Sequence, residues 1–433
     1  MTSERRLQLC GLLVLAALAP IPFLGDLRVR TGAMIALWGA AHLAYLAAAW
    51  IVIRGTRISL PAVALVAALL RALFLPTEPT LSEDVYRYLW DGRLVTLGVN
   101  PYVLAPDDPA LAAHRDPLLE RLNHAHVPTI YPPAAQLLFA SVAAVSTDPR
   151  AFKAALLVAE AALVAALLSI LRARGLPAER LLVYAWNPLV VVESYGSGHL
   201  DLVLAALLVT SLALLERGRR VPAGIAWALA VTTKYTPLLL APWVARRKGW
   251  AFLAAGLVAI ALLYLPFASA GGALGAGLAT YARHWEFNGS LHPALEALTG
   301  SGARARWILA GALGVATLWT SWRARSGTAA ALAILTATIA VSPTVYPWYL
   351  VPLIALLPLH PSPAILAFSG LVALSYAPLP RYHAFGEWTL PAWIPWVEYG
   401  GTVLVAIAAA VWAARRGAAQ ERRIAWARES VPT

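Results

Sequence analysis

Apolar residues gather in long runs along this chain, with the polar positions collected between them. The runs fall at 7–24, 35–53 and 58–75, then at 134–145, 151–171, 181–192, 202–215, 221–232, 235–244 and 250–267, and finally at 307–322, 329–341, 350–359, 365–377 and 397–414. A helix crossing the hydrocarbon layer needs about 20 mostly apolar residues, and only helices or closed barrels satisfy their backbone polar groups there. The pattern predicts an all-α polytopic transmembrane bundle of about 12 to 14 segments, built as one domain over residues 1–433. Between the third and fourth segments a large loop, 76–130, would carry interfacial helices, and a second loop is expected at 271–303.

Short basic clusters orient the segments. Arg5 and Arg6, Arg54 and Arg57, Arg172, Arg174 and Arg180, Arg217, Arg219 and Arg220, Arg246, Arg247 and Lys248, Arg323 and Arg325, and Arg415 and Arg416 read as cytoplasmic turns. Both long loops are then extracytoplasmic, and residues 415–433 form a basic cytoplasmic tail on anionic headgroups. Two runs, 134–145 and 151–171, separate an outer loop from an inner cluster where an odd number of crossings is required. The first is well short of the roughly 20 residues of a span, so it reads as a short or re-entrant segment. Ala17-Leu18-Ala19 imitates a leader-peptide cleavage pattern, but Pro20 follows directly, and the first helix is expected to be retained.

Composition agrees with this picture: 60% of residues are hydrophobic, 13% are charged, and there are 17 tryptophans. The single cysteine, Cys10, excludes an intramolecular disulfide and a cysteine-based metal site. A formal charge of +12 would suit nucleic acid, yet the basic residues are spread as topological signals, and no nucleic-acid partner is expected.

The chemistry concentrates in the first loop, which holds eight of the 22 acidic residues. In the stretch 81–102 a helix capped by Ser82, with Glu83 and Asp84 in its first turn, would place Asp84, Arg87, Tyr88 and Asp91 on one face. Asp84 is the favoured general base for attack by an alcohol. Arg87 would compensate a departing phosphate or pair with Asp84. Further along, Glu193, His199, Asp201 and Lys234 lie close to apolar spans, where a charge costs at least about 2.5 kcal/mol. They either line an outward-opening wet cavity, with Lys234 available to a phosphate and the acids to a sugar, or staple helices through a Lys234 pair with Glu193 or Asp201. Tyr235 follows that lysine, and Tyr88, Trp90, Tyr131, Trp285, Tyr346, Trp348 and Tyr349 offer flat faces to sugar rings. Glu83, Asp84, Asp91 and Asp201 could host a divalent cation, with the ligand count open. His124 and His126 read as solvated loop residues.

No phosphate-binding P-loop, dinucleotide fingerprint or HExxH occurs, so the energy for transfer must arrive with the substrate. A glycosyl donor carried on a lipid phosphate meets that need. A transporter or lipid-linked-sugar flippase would also be polytopic, but its polar sites belong at mid-membrane within repeated halves, and here they gather at one interface.

Ser82-Glu83-Asp84-Val85-Tyr86-Arg87-Tyr88, followed by Gly92, Gly98 and Asn100-Pro101-Tyr102, resembles the SxDVYxY…G…GxxPY signature of bacterial polyprenyl-phosphate-mannose-dependent alpha-mannosyltransferases, which are C-type membrane glycosyltransferases. The stretches 187–201, with its NP…E…GHxD pattern, 234–237 and 342–350 also resemble integral-membrane mannosyltransferases. The resemblance implies a first outer loop carrying the catalytic aspartate, here Asp84. It implies inverting transfer of a hexose, mannose first, from a polyprenyl-phosphate sugar to a hydroxyl of a lipid-linked or cell-envelope glycan at the outer face of the cytoplasmic membrane. Lys234 or Arg87 would hold the phosphate. Another lipid-linked sugar, or a protein hydroxyl as acceptor, is the alternative within the same chemistry.

Overall fold

Helix α1, Ser3–Leu18, buries Leu7, Cys10, Gly11, Val14 and Leu18, and helix α2, Thr31–Ile53, buries Met34, Trp38, Ala41, Tyr45, Ala48 and Val52. Steps of three and four residues make one stripe on each helix, and the two stripes pack together while the opposite faces keep leucines such as Leu12 and Leu43 exposed. In water such exposure would be a liability. Facing lipid, it is the expected outer surface of a bundle.

The computed structural model describes residues 2–429 apart from Lys248, with side chains described to Arg415. Among the described residues its regular structure is all helical, with only isolated bridges joining Phe287 and Asn288 to Thr344. Six helices among the described residues are long and apolar enough to cross a membrane, and a bent pair, Pro188–Gly196 with Asp201–Glu216, would make a seventh. Five further apolar helices are shorter, among them α3, Leu60–Phe74, with 15 residues. At 1.5 Å per residue α3 is only about 22 Å long against a layer of about 30 Å. The expected second outer loop at 271–303 is largely helical: Ala276–His284 continues the Trp250–His284 apolar unit, and Leu291–Thr299 follows. At the C-terminus the backbone of Gly401–Glu429 is one helix. Residues 430–433, and the side chains that would make 415–433 a basic tail beyond Arg415, lie outside the described part.

Two buried cations hold the short third helix in place. Arg71 of α3 donates to both oxygens of Glu160 at 2.7 and 3.1 Å, and Glu160 also accepts from Tyr184 and Tyr195 at 2.8 and 2.5 Å. Glu160 lies on helix α6, Pro149–Ala173. A charge pair this deep is tolerated because its remaining hydrogen-bonding capacity is used. Lys153, also on α6, donates to the carbonyls of Phe74 and Thr77 at 3.0 and 2.5 Å, capping the end of α3 where the chain leaves toward the loop.

Helix α4, Asp84–Thr96, lies against helix α5, Pro133–Ala143. With 11 residues α5 is about 16 Å long, too short to cross. The two meet at Gly92, where an added Cβ would stand 2.3 Å from the carbonyl carbon and oxygen of Phe139. Backbone cannot yield as a flexible side chain can. Gly92→Ala is therefore expected to lower stability by about 1 to 3 kcal/mol, read as a drop in melting temperature in detergent. An unchanged melt would show that α4 and α5 are not in this contact.

Candidate active site

The N-terminal turn of α4 opens into a cavity of about 800 Å³ whose walls come from stretches far apart in sequence. Helix α4 and the loop before it contribute Glu83, Asp84 and Arg87, the end of the loop contributes Tyr131, and the helix after the bend contributes Asp201 and Leu204. Lys234 and Tyr235 follow from the next turn, and Tyr346, Trp348 and Tyr349 close the far wall.

The helix starts later than expected: its cap position is Glu83, which makes no capping hydrogen bond, and Ser82 instead accepts from the Asp84 N–H at 3.3 Å. That leaves Asp84 in the first turn with 23% of its side chain open to the cavity. Burial pushes its carboxyl up to about 6, with Asp201 and Glu83 adding to the rise and Lys234 and the Tyr131 hydroxyl opposing it. Glu83 is also raised by burial, although Arg28 lies 3.6 Å away and pulls it down.

The shared face of α4 is not a shared substrate face, because the helix is buried on nearly every side. Arg87 reaches the cavity but does not pair with Asp84. Its Nε donates to Asp91 at 2.8 Å and its Nη2 to the carbonyl of Val127 at 3.0 Å. Asp91, 1% exposed, is fully engaged by Arg87 and by Gln136 Nε2 at 3.3 Å, so it is a structural anion rather than a sugar ligand. Tyr88 likewise belongs to the core: its ring stacks on Phe139 at 4.6 Å and meets Tyr131 edge-on at 5.0 Å, leaving no face for a sugar.

Lys234 donates to both oxygens of Asp201 at 2.8 and 2.7 Å, and its ammonium stands 4.7 Å from the centroid of Tyr349. The staple to Asp201 is thus formed, and the lysine still lines the cavity with about a fifth of its side chain exposed (21%). Glu193 takes no part in it; it lies behind the wall, accepting from Tyr376. His199 is also behind the wall, its ring stacked on Trp348 at 3.8 Å, and Trp348 stacks on Tyr346 at 4.5 Å. The hydroxyls of Tyr235 and Tyr264 meet at 2.8 Å. The bend that delivers His199 and Asp201 follows the π-helical turn Val192–Gly196 and passes through Gly198 at φ 80°, a conformation that suits glycine.

The cavity also holds residues that sequence reasoning passed over. Arg28 comes from the first connection, Tyr281 donates to or accepts from Tyr349 at 2.5 Å, Tyr382 comes from the helix Leu379–Phe385, and Trp388 from the connection after it. Only the Asp26–Arg28 pair at an interface hinted at the first. His124 is not simply solvated: it meets Trp285 at 4.6 Å on the cavity wall, and burial, with His126 and Arg87 nearby, lowers its basicity. Of the acids considered for a divalent cation, Asp201 is neutralised by Lys234 and Asp91 by Arg87. Glu286, His292 and Glu296 are grouped closely enough to share an ion, but Glu286 is already paired with Arg306 at 2.6 Å.

In this arrangement Asp84 is, among the described residues, the cavity acid whose carboxylate is paired with neither an arginine nor a lysine, and Lys234 and the stacked Tyr346–Trp348 pair line the same cavity. Apolar side chains, Leu204, Leu278, Leu335, Ile339 and Leu353, line the cavity along with these polar groups. Residues 13–248 match the family described as alpha-(1->6)-mannopyranosyltransferase, N-terminal domain, a span that includes Asp84, His199, Asp201 and Lys234. A relative, alpha-(1->6)-mannopyranosyltransferase A of Mycobacterium tuberculosis, is 27% identical over 240 residues, covering 48% of this chain; the chain spans 43% of that relative's length. No solved structure matches the chain. With more than half of its length matched, and with the acid, lysine and aromatic groups of that span gathered at one cavity, the chain belongs to the alpha-(1->6)-mannopyranosyltransferase family.

Proposed function

We propose that this protein transfers mannose from a polyprenyl-phosphate donor to a hydroxyl of a glycan or glycolipid acceptor, with inversion at the anomeric carbon, at the extracytoplasmic face of the cytoplasmic membrane. The observation that carries the reading is the composite cavity, lined by charged groups, Asp84 and Lys234 among them, and by the apolar side chains of Leu204, Leu335, Ile339 and Leu353. A lipid-linked sugar has parts to match both.

Asp84 acts as general base, taking the proton of the attacking hydroxyl while that oxygen bonds to the anomeric carbon. Negative charge develops on the departing phosphate, and Lys234, with Arg28 and Arg87 on the same walls, supplies fixed positive charge there. The Tyr346–Trp348 column offers its edge and Tyr349 its face to the sugar ring. Because these cations already serve the phosphate, we assign no step to a divalent ion.

Inverting transfer that makes an alpha bond consumes a beta-linked donor. The test is incubation of the purified protein in lipid with labelled beta- and alpha-linked polyprenyl-phosphate mannose, the glucose and arabinose counterparts, and a short mannan acceptor, with and without a chelator. Label is expected to reach the acceptor from beta-linked mannose alone, and chelation to change the rate by less than about twofold. Transfer from a sugar nucleotide, or movement of lipid-linked sugar across the bilayer without transfer, would overturn the reading.

A further inference from the structure

Behind Asp84 a second acid is held in line with it by one imidazole. His199 is wholly buried, with Nδ1 3.7 Å from Asp84 Oδ2 and Nε2 3.5 Å from Glu193 Oε2. Glu193 is itself fully buried, and Tyr376 donates to its two oxygens at 2.8 and 3.0 Å. The three residues come from separate places: the first turn of α4, the π-helical turn and the bend after it. The His199 ring lies within 13° of parallel to Trp348, which fixes its plane and leaves its two nitrogens directed edgewise at the two carboxylates.

Neither nitrogen of His199 has a hydrogen-bond partner among the described residues. A buried polar atom left in this way ordinarily costs about 1 to 3 kcal/mol, and structural histidines avoid it by bonding a carbonyl, as His42 does to Leu366 at 2.9 Å. Contacts of 3.5 and 3.7 Å are too long for hydrogen bonds but need only a small shift to become them. Such looseness before substrate arrives is common in groups that move protons.

We propose that His199 is the positioning and relay residue for Asp84, linking it to Glu193 in an acid–imidazole–acid chain. The inference rests on Asp84 as general base. With the proton on Nε2, the Nδ1 lone pair faces the Asp84 carboxylate and the two repel, which keeps them apart. As the acceptor oxygen bonds to the anomeric carbon, the carbon–phosphate oxygen bond breaks, and its electron pair leaves with the phosphate. The hydroxyl proton passes to Asp84, and Asp84 then donates it to Nδ1 while Nε2–H passes to the Glu193 carboxylate, so the relay runs in the fraction of molecules whose Glu193 is ionised. Asp84 is left ionised while the bond forms; as the product leaves, the proton returns by the same route to Asp84 and passes from there to the departing phosphate, which leaves Asp84, His199 and Glu193 as they began. The other charged or titratable groups around the ring are Asp201 and Lys234 from the cavity side and Tyr376 and Tyr346 from the opposite wall.

The test compares His199→Phe, which keeps the stack on Trp348, Glu193→Gln, the double variant and Asp84→Asn, each assayed for transfer from lipid-linked mannose and for melting temperature. His199→Phe and Glu193→Gln are each expected to lower kcat about 10- to 100-fold, with donor KM within about twofold, and the double variant to lose no more than the worse single. A merely structural role would instead raise KM, lower the melt and multiply the two losses. Should His199→Phe fail to fold, His199→Gln takes its place with the same expected loss of kcat at an unchanged donor KM, because an amide cannot pass a proton between the two acids, and full kcat in it overturns the relay. Full kcat in the His199 variant while Asp84→Asn is inactive overturns the relay alone. Retained transfer in Asp84→Asn overturns the reading of the site and the relay with it.

Discussion

Asp84→Asn is expected to abolish transfer, by a factor of roughly a thousand or more, and at the same time to make the protein more stable at neutral pH. Both effects have one source. The carboxyl is raised from 3.8 to about 6 chiefly because the cavity wall strips water from its charged form. Ionised Asp84 is thus a stronger base than an exposed aspartate and also a liability in the folded state. A carboxyl whose folded pKa exceeds its unfolded one binds more protons when folded, so stability falls as pH rises from about 4 to about 6. The full penalty is present above that window and absent below it. The shift corresponds to roughly 3 kcal/mol, which asparagine, of the same shape and without charge, would remove. The variant should therefore melt higher than the parent at pH 7.5 and equally at pH 3.5. The parent's kcat/KM should fall tenfold per unit as pH drops below about 6, since only ionised Asp84 accepts a proton. A variant that transfers normally, or one that melts lower at neutral pH, would remove Asp84 from this role.

Lys234→Met is expected to lower kcat/KM by about 100- to 1,000-fold and, unlike Asp84→Asn, to destabilise. Asp201, 2% exposed, holds its charge against Lys234 alone among the ion pairs of the described residues, and removing the lysine strands it. Breaking a buried pair from one side costs about 3 to 5 kcal/mol, and with a fifth of the lysine side chain in the cavity the loss should be nearer the lower end. Adding Asp201→Asn removes the stranded charge. The double variant should therefore recover the melt and not the transfer, because the cation proposed to face the phosphate is still missing. Recovery of both would mean that Lys234 only staples helices.

Several residues of the candidate site stood out before any packing was known, for reasons that differ between residues. Asp84 stood out because an acid beside aromatics, at the head of a helix just after an apolar span, is a costly combination that needs a cause. Lys234, Asp201, Glu193 and His199 stood out for the same reason. Their partners were less legible: Arg87 could reach Asp84 or Asp91, three residues back or four residues on, and both spacings are good on a helix. The tighter burial of Asp91 decided it. Tyr88 and Tyr131 look alike in sequence, and only the position of Phe139 on α5 places the first in the core and leaves the second a place on the cavity wall.

By itself the sequence determined that this chain is a helical membrane bundle with its polar groups collected at a few points, because hydropathy acts over each segment separately and continuous apolar runs, unlike the alternating strands of a barrel, satisfy their backbone hydrogen bonds in lipid as helices. Which of those points meet was a tertiary decision. Gly92 lets α4 lie on the backbone of α5, a sharp bend at Gly198 swings His199 and Asp201 toward Asp84, and Trp348 arrives from some 150 residues further on to hold the imidazole flat. Such contacts depend on close approach between separate helices, and no periodicity within any one of them encodes the distance.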